Sequence, residues 1–321
     1  MIISKTPLRV SFAGGGSDLP SYYQKIPGSV ISTSINKYIY VILKKRFDDM
    51  IYINYSKKEI VKEVKDIKHD LVREAMIMTG IDNGIEITTL SDIPSSGSGL
   101  GSSSSVTVGL LNAMYNYQNI LKSKEDIANE ACIIEIDICN HPIGKQDQYG
   151  CAIGGMNRIN FEVDGNVNFY PINTDLEKLN KNLYLCFTGI TRNANIILDE
   201  QSSKSKENEK RNIEIVKSVD IFEKIIDSDK LDDIGPFLDE MWKVKQSMAT
   251  NISNNQIKEI YEKGIQSGST GGKVLGAGGG GFILFYVPRN NQEKFENDMR
   301  NFHFFDFNLE NHGSKVIFVE E

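Results

Sequence analysis

One segment constrains what this chain can fold into more than any other. Residues 94–105, the serine loop, read Pro-Ser-Ser-Gly-Ser-Gly-Leu-Gly-Ser-Ser-Ser-Ser. The alternating, β-branched residues 85–90 before the loop predict a strand, and the long apolar run at residues 106–121 after it predicts a helix. The loop therefore leads into a helix N-terminus, where unpaired backbone N–H groups and the positive end of the helix dipole bind anions such as phosphate.

The residue types of the serine loop suit phosphate binding. Glycine lets an anion approach the backbone closely, and serine hydroxyls cap the helix, contact phosphate or ligate magnesium. A flexible serine-glycine connector is the alternative, but a connector would not normally sit between two well-patterned elements. The residues predicted to bind phosphate are Gly97, Ser98, Gly99, Leu100, Gly101, Ser102, Ser103 and Ser104.

Composition excludes some classes of partner. The chain has 321 residues, 40% of them hydrophobic, which is enough for two domains of ordinary size. Its net charge of −7 at pH 7 repels polyanions, so we expect neither nucleic acid nor a membrane surface as a partner. An anionic substrate must therefore be met by local cations.

Cysteine usage and the N-terminus predict a cytoplasmic protein. The cysteines form no Cys-x-x-Cys pair and are too sparse for a disulfide scaffold, so reduced thiols are expected. The N-terminus lacks a basic start followed by an apolar run, and no apolar stretch approaches membrane-spanning length.

Strands mixed with helices predict two α+β domains, residues 1–175 and 176–321, with the boundary where residues 173–182 become polar and charged. The first domain has predicted strands at 8–12, 30–43, 51–55, 85–90, 156–161 and 167–170, a helix-compatible stretch at 57–79 and a loop at 141–155. The second has a strand at 183–187, helices from residue 201 past Trp242, a glycine-rich segment at 264–281, a strand at 282–287 and a helix at 291–302.

A helix is also predicted at residues 123–139, with Ser123 and Asp126 as a capping-box start. Its buried face is predicted to hold Ile127, Ala131, Ile134 and Ile138. On an ideal helix Glu135 lies roughly 70° from the centre of that face, at its edge. The alternative is that Glu135 is a solvated surface glutamate. If the helix is rotated, Glu130 would lie at the edge of the buried face instead.

Three glycine-rich segments in this order resemble the motifs of the GHMP small-molecule kinases, the family of galactokinase, homoserine kinase, mevalonate kinase and phosphomevalonate kinase. The segments are residues 6–18, 94–104 and 271–281, and the match spans nearly the full chain. The resemblance implies an enzyme that uses ATP and Mg²⁺. It also implies a two-domain GHMP kinase fold, with an N-terminal ribosomal-protein-S5-domain-2-like α/β domain and a C-terminal ferredoxin-like α+β domain.

Within this family, residues 14–20, 144–149 and 187–192 resemble the kinases of D-glycero-D-manno-heptose 7-phosphate and, less closely, the fucokinases. The resemblance implies phosphoryl transfer to the anomeric hydroxyl of that heptose, giving the 1,7-bisphosphate on the way to a nucleotide-activated heptose. Two alternatives stay open: a kinase of an unphosphorylated sugar such as L-fucose, and a non-catalytic ATP- and sugar-binding sensor.

The resemblance also implies roles for single residues. Ser103 and Glu135 would ligate magnesium. Asp147, expected in the loop at 141–155, would face the acceptor hydroxyl as a general base or as an orienting group, and Arg9 would lie near the transferred phosphate. The alternatives are that Asp147 only stabilises a turn and that Arg9 is an ordinary surface arginine on a strand.

Substrate binding is expected at the glycine-rich turn around Asp18, where a short carboxylate accepts hydrogen bonds from neighbouring sugar hydroxyls. Arg192 follows a strand and a glycine, and its guanidinium fork suits a distal phosphate. Lys37, Lys145 and Lys273 are the alternative phosphate-binding cations. The full set implied to bind substrate is Gly15, Gly16, Ser17, Asp18, Asp147, Arg192, Gly278 and Gly279.

The third glycine-rich segment also matches G-x-G-x-x-G at residues 276–281. In a dinucleotide-binding domain this motif opens a helix, whereas here it precedes the strand-like residues 282–287. A dehydrogenase is therefore rejected.

Overall fold

Two β-sheets form the framework of the chain. The computed structural model describes residues 1–93, 97–191, 194–204 and 207–320. The strands within these residues are β1 (Ile2–Ala13), β2 (Gly28–Lys45), β3 (Ile51–Asn54), β4 (Lys58–Val61), β5 (Ile85–Ser91), β6 (Met156–Phe161), β7 (Val167–Pro171), β8 (Leu183–Phe187), β9 (Gly271–Val274), β10 (Phe282–Tyr286), β11 (His303–Phe305), β12 (Leu309–Glu310) and β13 (Lys315–Val319).

Helices pack against both sheets. The α-helices of the described residues are α1 (Pro20–Tyr23), α2 (Asp70–Thr79), α3 (Ser102–Tyr117), α4 (Lys124–Cys132), α5 (Gln146–Ile153), α6 (Leu176–Asn180), α7 (Ala194–Ser203), α8 (Glu209–Asp227), α9 (Ile234–Gln246), α10 (Asn255–Gln266) and α11 (Gln292–Met299). A π-helical segment, Ile133–Ile138, continues α4. No helix in the described part of the chain combines the length and the apolar character needed to cross a bilayer.

The first sheet is organised by its two longest strands. β1 and β2 pair antiparallel, and the sheet runs in the order β13-β1-β2-β5-β3-β4, with β12 and β6 also pairing with β2, and β7 with β6. Helix α3 packs on β1 and β2 through buried residues that include Leu110, Leu111 and Met114. This packing brings the N-terminus of α3, and with it the serine loop, beside β1.

The second sheet is antiparallel and runs in the order β11-β8-β10-β9. All residues of β10 are buried, which explains why residues 282–286 read as a continuous apolar run. α9 packs against β9 and β10, and Trp242, Phe285 and Phe295 lie in the core of this half.

Helix α8 packs between the first sheet and helix α9. It packs against β1 and β2, and its Phe222 stacks on Phe12 of β1 with ring centroids 5.0 Å apart. Phe222 also contacts Phe237 of α9, with centroids 5.3 Å apart. Because all three rings are buried, each contributes on the order of 2 kcal/mol of hydrophobic stabilisation across the junction.

The predicted α+β composition and most of the predicted elements are confirmed. The strands predicted at 8–12, 30–43, 51–55, 85–90, 156–161, 167–170, 183–187 and 282–287 are present, some with shifted ends. The capping box of α4 is present as well, with Ser123 accepting from the Asp126 backbone N–H. The boundary near residue 175 stays a prediction; β12 and β13 return from the C-terminal part to the first sheet.

Two predicted elements are wrong. The stretch at 57–79 is helical only in α2 and in a 3₁₀ turn at Val64–Asp66, because Lys58–Val61 pairs with β3 instead. The expected loop at 141–155 contains helix α5, whose residues Cys151 and Ala152 are buried. Tertiary burial therefore overrides the glycine and proline signals that predicted a loop.

The face of the helix that ends in Ile133–Ile138 also differs from the prediction. Ile138, placed on the buried face, is 45% exposed, whereas Glu135, placed at its edge, is 0% exposed. The reason is the π-helical geometry, since an angle of 100° per residue holds only for an α-helix. The π segment turns the Glu135 carboxylate into the protein.

Candidate active site

The three glycine-rich segments meet at one cavity of about 560 Å³, a size typical of small-molecule sites. Helices α5, α7 and α9 also contribute residues to its walls. The predicted site residues that line it are Arg9, Gly15, Gly16, Asp18, Gly97, Ser98, Gly99, Gly101, Ser102, Ser103 and Asp147. The structure thus brings together most of the residues singled out in the sequence.

The serine loop is fastened to β1 before it enters α3. The backbone N–H of Arg9 donates to the Leu100 carbonyl at 3.0 Å, and the Ser105 hydroxyl donates to the Pro7 carbonyl at 3.0 Å. Helix α3 begins at Ser102, four residues before its predicted start. The first N–H groups of a helix have no intrahelical acceptors, so this end of α3 offers an anion the donors that the sequence predicted.

Glycine is required where the serine loop meets the third glycine-rich segment. Gly99 has a left-handed φ of +74°, and a Cβ there would lie 2.5 Å from the Leu275 carbonyl oxygen. A Cβ at Gly276 would lie 2.6 Å from the Cα of Gly99. The two backbones pack directly on one another, which closes the cavity on the side of the second sheet.

Arg9 and Asp147 form an ion pair, and both residues line the cavity. Arg9 Nε and Nη2 donate to the two Asp147 carboxylate oxygens at 2.7 and 2.6 Å, and Nη1 donates to the Gly99 carbonyl at 2.6 Å. Burial alone would lower the pKa of Arg9, but the Asp147 carboxylate outweighs it and the pKa is raised. Arg9 therefore stays charged while it connects the serine loop to Asp147.

Asp147 lies in the first turn of α5 rather than in a loop. The start of this helix is held by Gln146, whose side-chain oxygen accepts from the Ser11 hydroxyl at 3.1 Å. The Asp147 side chain is 26% exposed and lines the cavity. A carboxylate accepts about four hydrogen bonds, so its contacts with Arg9 leave positions for an acceptor hydroxyl.

A second carboxylate, Asp18, shares the cavity. It accepts from the backbone N–H groups of Gly16 at 2.9 Å and Gln146 at 3.3 Å. Burial and the neighbouring Asp147 charge raise the pKa of Asp18. A Cβ at Gly144 would lie 2.0 Å from an Asp18 oxygen, so glycine is needed there for this contact.

Glu135 lies behind the serine loop. Its carboxylate accepts from the Ser104 hydroxyl at 3.3 Å and from Gln148 Nε2 at 3.1 Å. Burial raises the pKa of Glu135 to about 7. Ser103, the predicted partner in magnesium binding, is exposed and lines the cavity, so the pairing of Ser103 with Glu135 stays a prediction. The alternative glutamate, Glu130, pairs with Lys122 at 2.7 Å.

Several predicted residues support the site from behind the cavity wall. Leu100 is fully buried, and the Ser17 hydroxyl donates to the Ser29 carbonyl at 2.9 Å. Gly279 donates its N–H to the Ile252 carbonyl at 2.7 Å, and a Cβ at Gly278 would lie 2.9 Å from the same oxygen. A direct contact of these residues with substrate stays a prediction. Arg192 lies outside the described residues.

Sequence reasoning missed several cavity residues. Lys245, on α9, lines the cavity, as does Lys273 on β9, which the sequence offers only as an alternative cation. His141, whose Nε2 lies 3.0 Å from an Asp70 oxygen, and Gln201 also line it. Lys245 stands among several charged residues with no motif around it, and only the packing of α9 on the second sheet identifies it.

Comparison with known proteins identifies the family. Residues 54–155 match the GHMP kinases N terminal domain. The chain is 31% identical over 309 residues to the D-glycero-alpha-D-manno-heptose 7-phosphate kinase of Campylobacter jejuni, and the match covers 89% of each protein. The chain therefore belongs to the GHMP kinase family. Within that family it is a sugar kinase.

Solved structures show the same fold. A crystal structure of a D-glycero-D-manno-heptose 1-phosphate kinase from Bacteroides thetaiotaomicron has a TM-score of 0.83 and 23% identity over the whole of both chains. The predicted two-domain GHMP kinase fold is thereby confirmed. The bifunctional fucokinase/GDP-fucose pyrophosphorylase of Arabidopsis thaliana is 26% identical, but the chain covers only 29% of that protein.

The contact between the two glycine-rich loops can be tested at Gly99. Gly99→Ala should lower kcat/KM at least tenfold, because the new methyl group would separate the loops and displace the Arg9 contact; a tenfold change corresponds to about 1.4 kcal/mol. The measurement is steady-state turnover of ATP. Gly80→Ala is the matched control, since Gly80 has a similar φ of +71° and a methyl group added there would meet nothing within 4 Å. Equal losses in both variants would contradict the role of the contact.

Proposed function

We propose that this sugar kinase transfers the γ-phosphate of ATP to the anomeric hydroxyl of D-glycero-D-manno-heptose 7-phosphate. The observation that carries the proposal is the Arg9–Asp147 pair, which lies where the serine loop and the Asp18 turn face one cavity. Phosphoryl transfer depends mainly on positioning and charge stabilisation, and this arrangement provides both. The similarity to the Campylobacter jejuni enzyme supports the choice of sugar.

The ATP phosphates would be bound by the serine loop. Ser102 and Ser103 are the first two residues of α3 and line the cavity, so their backbone N–H groups and hydroxyls are placed to donate. Arg9 holds the Gly99 carbonyl of the same loop and would stabilise charge on the transferred phosphate. The cradle and the cation are therefore linked in one unit.

The chain also has residues that fit Mg²⁺. Glu135 is a fully buried carboxylate whose described partners, Ser104 and Gln148, are neutral, so a cation would relieve the cost of its charge. Ser103 or Ser104 would supply a hydroxyl oxygen, which suits a hard cation. When bound, the metal would neutralise negative charge on the ATP phosphates.

Asp147 would orient the acceptor hydroxyl. Both of its oxygens accept from Arg9, which fixes the carboxylate, and Asp147 lines the cavity, so its remaining lone pairs would accept from the hydroxyl of a bound sugar. A loose transition state needs little proton removal before transfer, and an anomeric hydroxyl is more acidic than other sugar hydroxyls. Orientation by Asp147 would therefore contribute more than deprotonation.

The proposal is tested by ADP release over a panel of acceptors. The panel contains heptose 7-phosphate, unphosphorylated heptose, L-fucose, galactose, mevalonate and homoserine. We expect the highest kcat/KM with heptose 7-phosphate. A higher value with L-fucose would favour a kinase of unphosphorylated sugars, and ATP binding without ADP release on any acceptor would favour a non-catalytic sensor.

Asp147→Asn should reduce kcat by roughly 10²- to 10⁴-fold, because the amide loses one of the two oxygens that accept from Arg9, and with it the charged group that orients the acceptor hydroxyl. ATP affinity, measured by calorimetry, should stay within about twofold, since the serine loop is untouched. Asp164→Asn, in an exposed turn, is the matched control and should behave like the wild type. Near-wild-type kcat in Asp147→Asn would sink the assignment of this residue.

The metal assignment predicts a changed Mg²⁺ requirement. Ser103→Ala and Glu135→Gln should each raise the Mg²⁺ concentration for half-maximal velocity by roughly tenfold or more, because each removes an oxygen ligand. The readout is a Mg²⁺ titration at saturating ATP. A larger change in Ser104→Ala than in Ser103→Ala would assign the hydroxyl to Ser104. Wild-type titrations in all three variants would place the metal elsewhere.

A further inference from the structure

Two lysines, Lys273 buried and Lys245 partly buried, face the cavity from the side of the second sheet. Lys273, on β9, is 7% exposed and donates from Nζ to the Phe12 carbonyl at 3.1 Å. Lys245, near the end of α9, donates from Nζ to the Gly276 carbonyl. Both lysines line the cavity, and in each ammonium group two further N–H donors remain available.

These lysines have no carboxylate partner in an ion pair among the described residues. Burial lowers the pKa of Lys245 to about 8, with a further lowering by Arg9 and a partial offset by Asp18. Burial, Lys245 and Arg9 together lower the pKa of Lys273 well below its ordinary value. Burial and mutual repulsion thus disfavour the charged forms of both lysines, and a bound anion would offset this cost and favour the ammonium forms.

Lys273 lies at the end of the cavity that holds the Asp18 turn, whereas Lys245 contacts Gly276, which packs on Gly99 of the serine loop. Phe12, which accepts from Lys273, lies near the end of β1, just before the turn that carries Gly15, Gly16 and Asp18. Lys245, Lys273 and Asp18 line the same cavity. Both lysines therefore face the space in which the sugar is expected to bind.

We propose that Lys245 and Lys273 together bind the distal phosphate of the acceptor sugar. This inference rests on the proposed function, which supplies an acceptor with such a phosphate. Two ammonium groups meet a dianion as paired point charges, and their free N–H groups match its several oxygens. The substrate class that the pair selects is a sugar phosphate rather than a neutral sugar.

The other lysines considered for this role are engaged elsewhere. Lys37 Nζ lies over the Phe305 ring, 4.9 Å from its centroid. Lys145 Nζ donates to the Gly165 carbonyl and lies 5.2 Å from the centroid of the Tyr23 ring. Of these alternatives Lys273 is the one whose side chain lines the cavity.

The test is calorimetric binding of heptose 7-phosphate to the full chain with Mg²⁺ and ADP present. ADP replaces ATP because ADP does not phosphorylate the acceptor under these conditions. The measured affinity is therefore that of unreacted heptose 7-phosphate. Lys245→Met and Lys273→Met should each weaken binding by roughly 30-fold or more, as expected when one partner of a buried charge pair is removed. ADP affinity should stay within about twofold.

Lys243→Met is the matched control, because Lys243 lies on the same helix, is 71% exposed and pairs with Asp239. It should bind heptose 7-phosphate like the wild type. Unphosphorylated heptose should bind the wild type and the two cavity variants equally. The melting temperature without ligand should change little in Lys273→Met, because the loss of the hydrogen bond to Phe12 is offset by removal of a buried amine that has no carboxylate partner in the described residues.

Each contrary result is distinct. Unchanged heptose 7-phosphate affinity in both folded variants would overturn the inference while leaving the proposed function standing. Equal weakening for phosphorylated and unphosphorylated heptose would also overturn it, because the lysines would then support the site generally. No binding of heptose 7-phosphate by the wild type would contradict the proposed function itself, and the inference with it. If Lys273→Met does not fold, Lys245→Met alone decides.

Discussion

The arrangement of the candidate site depends on the hydrogen bonds of the Arg9 guanidinium. One residue of β1 joins the serine loop, through the Gly99 carbonyl, to the first turn of α5, through Asp147. β1 is itself paired with β2 and β13, so the position of Arg9 is fixed by the first sheet. The distance between the serine loop and the Asp147 carboxylate is thereby set by a rigid element, which is what the proposed positioning role requires.

The cavity collects cationic side chains although the protein as a whole is negatively charged. The chain carries −7 overall, yet Arg9, Lys245 and Lys273 converge on one cavity. Two carboxylates, Asp18 and Asp147, share the same space, and Arg9 pairs with the second. Local cations suit a small anionic substrate, as the composition required of any such substrate, and the exclusion of polyanions by the overall field stays a prediction. This arrangement is consistent with the proposed small anionic substrates.

Features that depend on neighbouring residues were predictable from the sequence, and features that depend on packing were not. The strand, glycine loop and helix around Ser102 form one local unit, and its pattern predicted both fold and phosphate binding. Helix α5 escaped prediction because its Gly144 and Pro142 flank favours a loop, while burial of Cys151 stabilises a helix. Lys245 reaches the cavity only through the tertiary position of α9.

The central claim is that one cavity carries a phosphoryl group from ATP to the anomeric oxygen of a sugar that already bears a distal phosphate. The most direct measurement is phosphorus NMR of the reaction mixture of ATP, Mg²⁺ and heptose 7-phosphate. The account predicts equal formation of ADP and of a new phosphate signal coupled to the anomeric proton, with the 7-phosphate signal retained. A new phosphate at any other hydroxyl, or ADP formed with only inorganic phosphate, would contradict it.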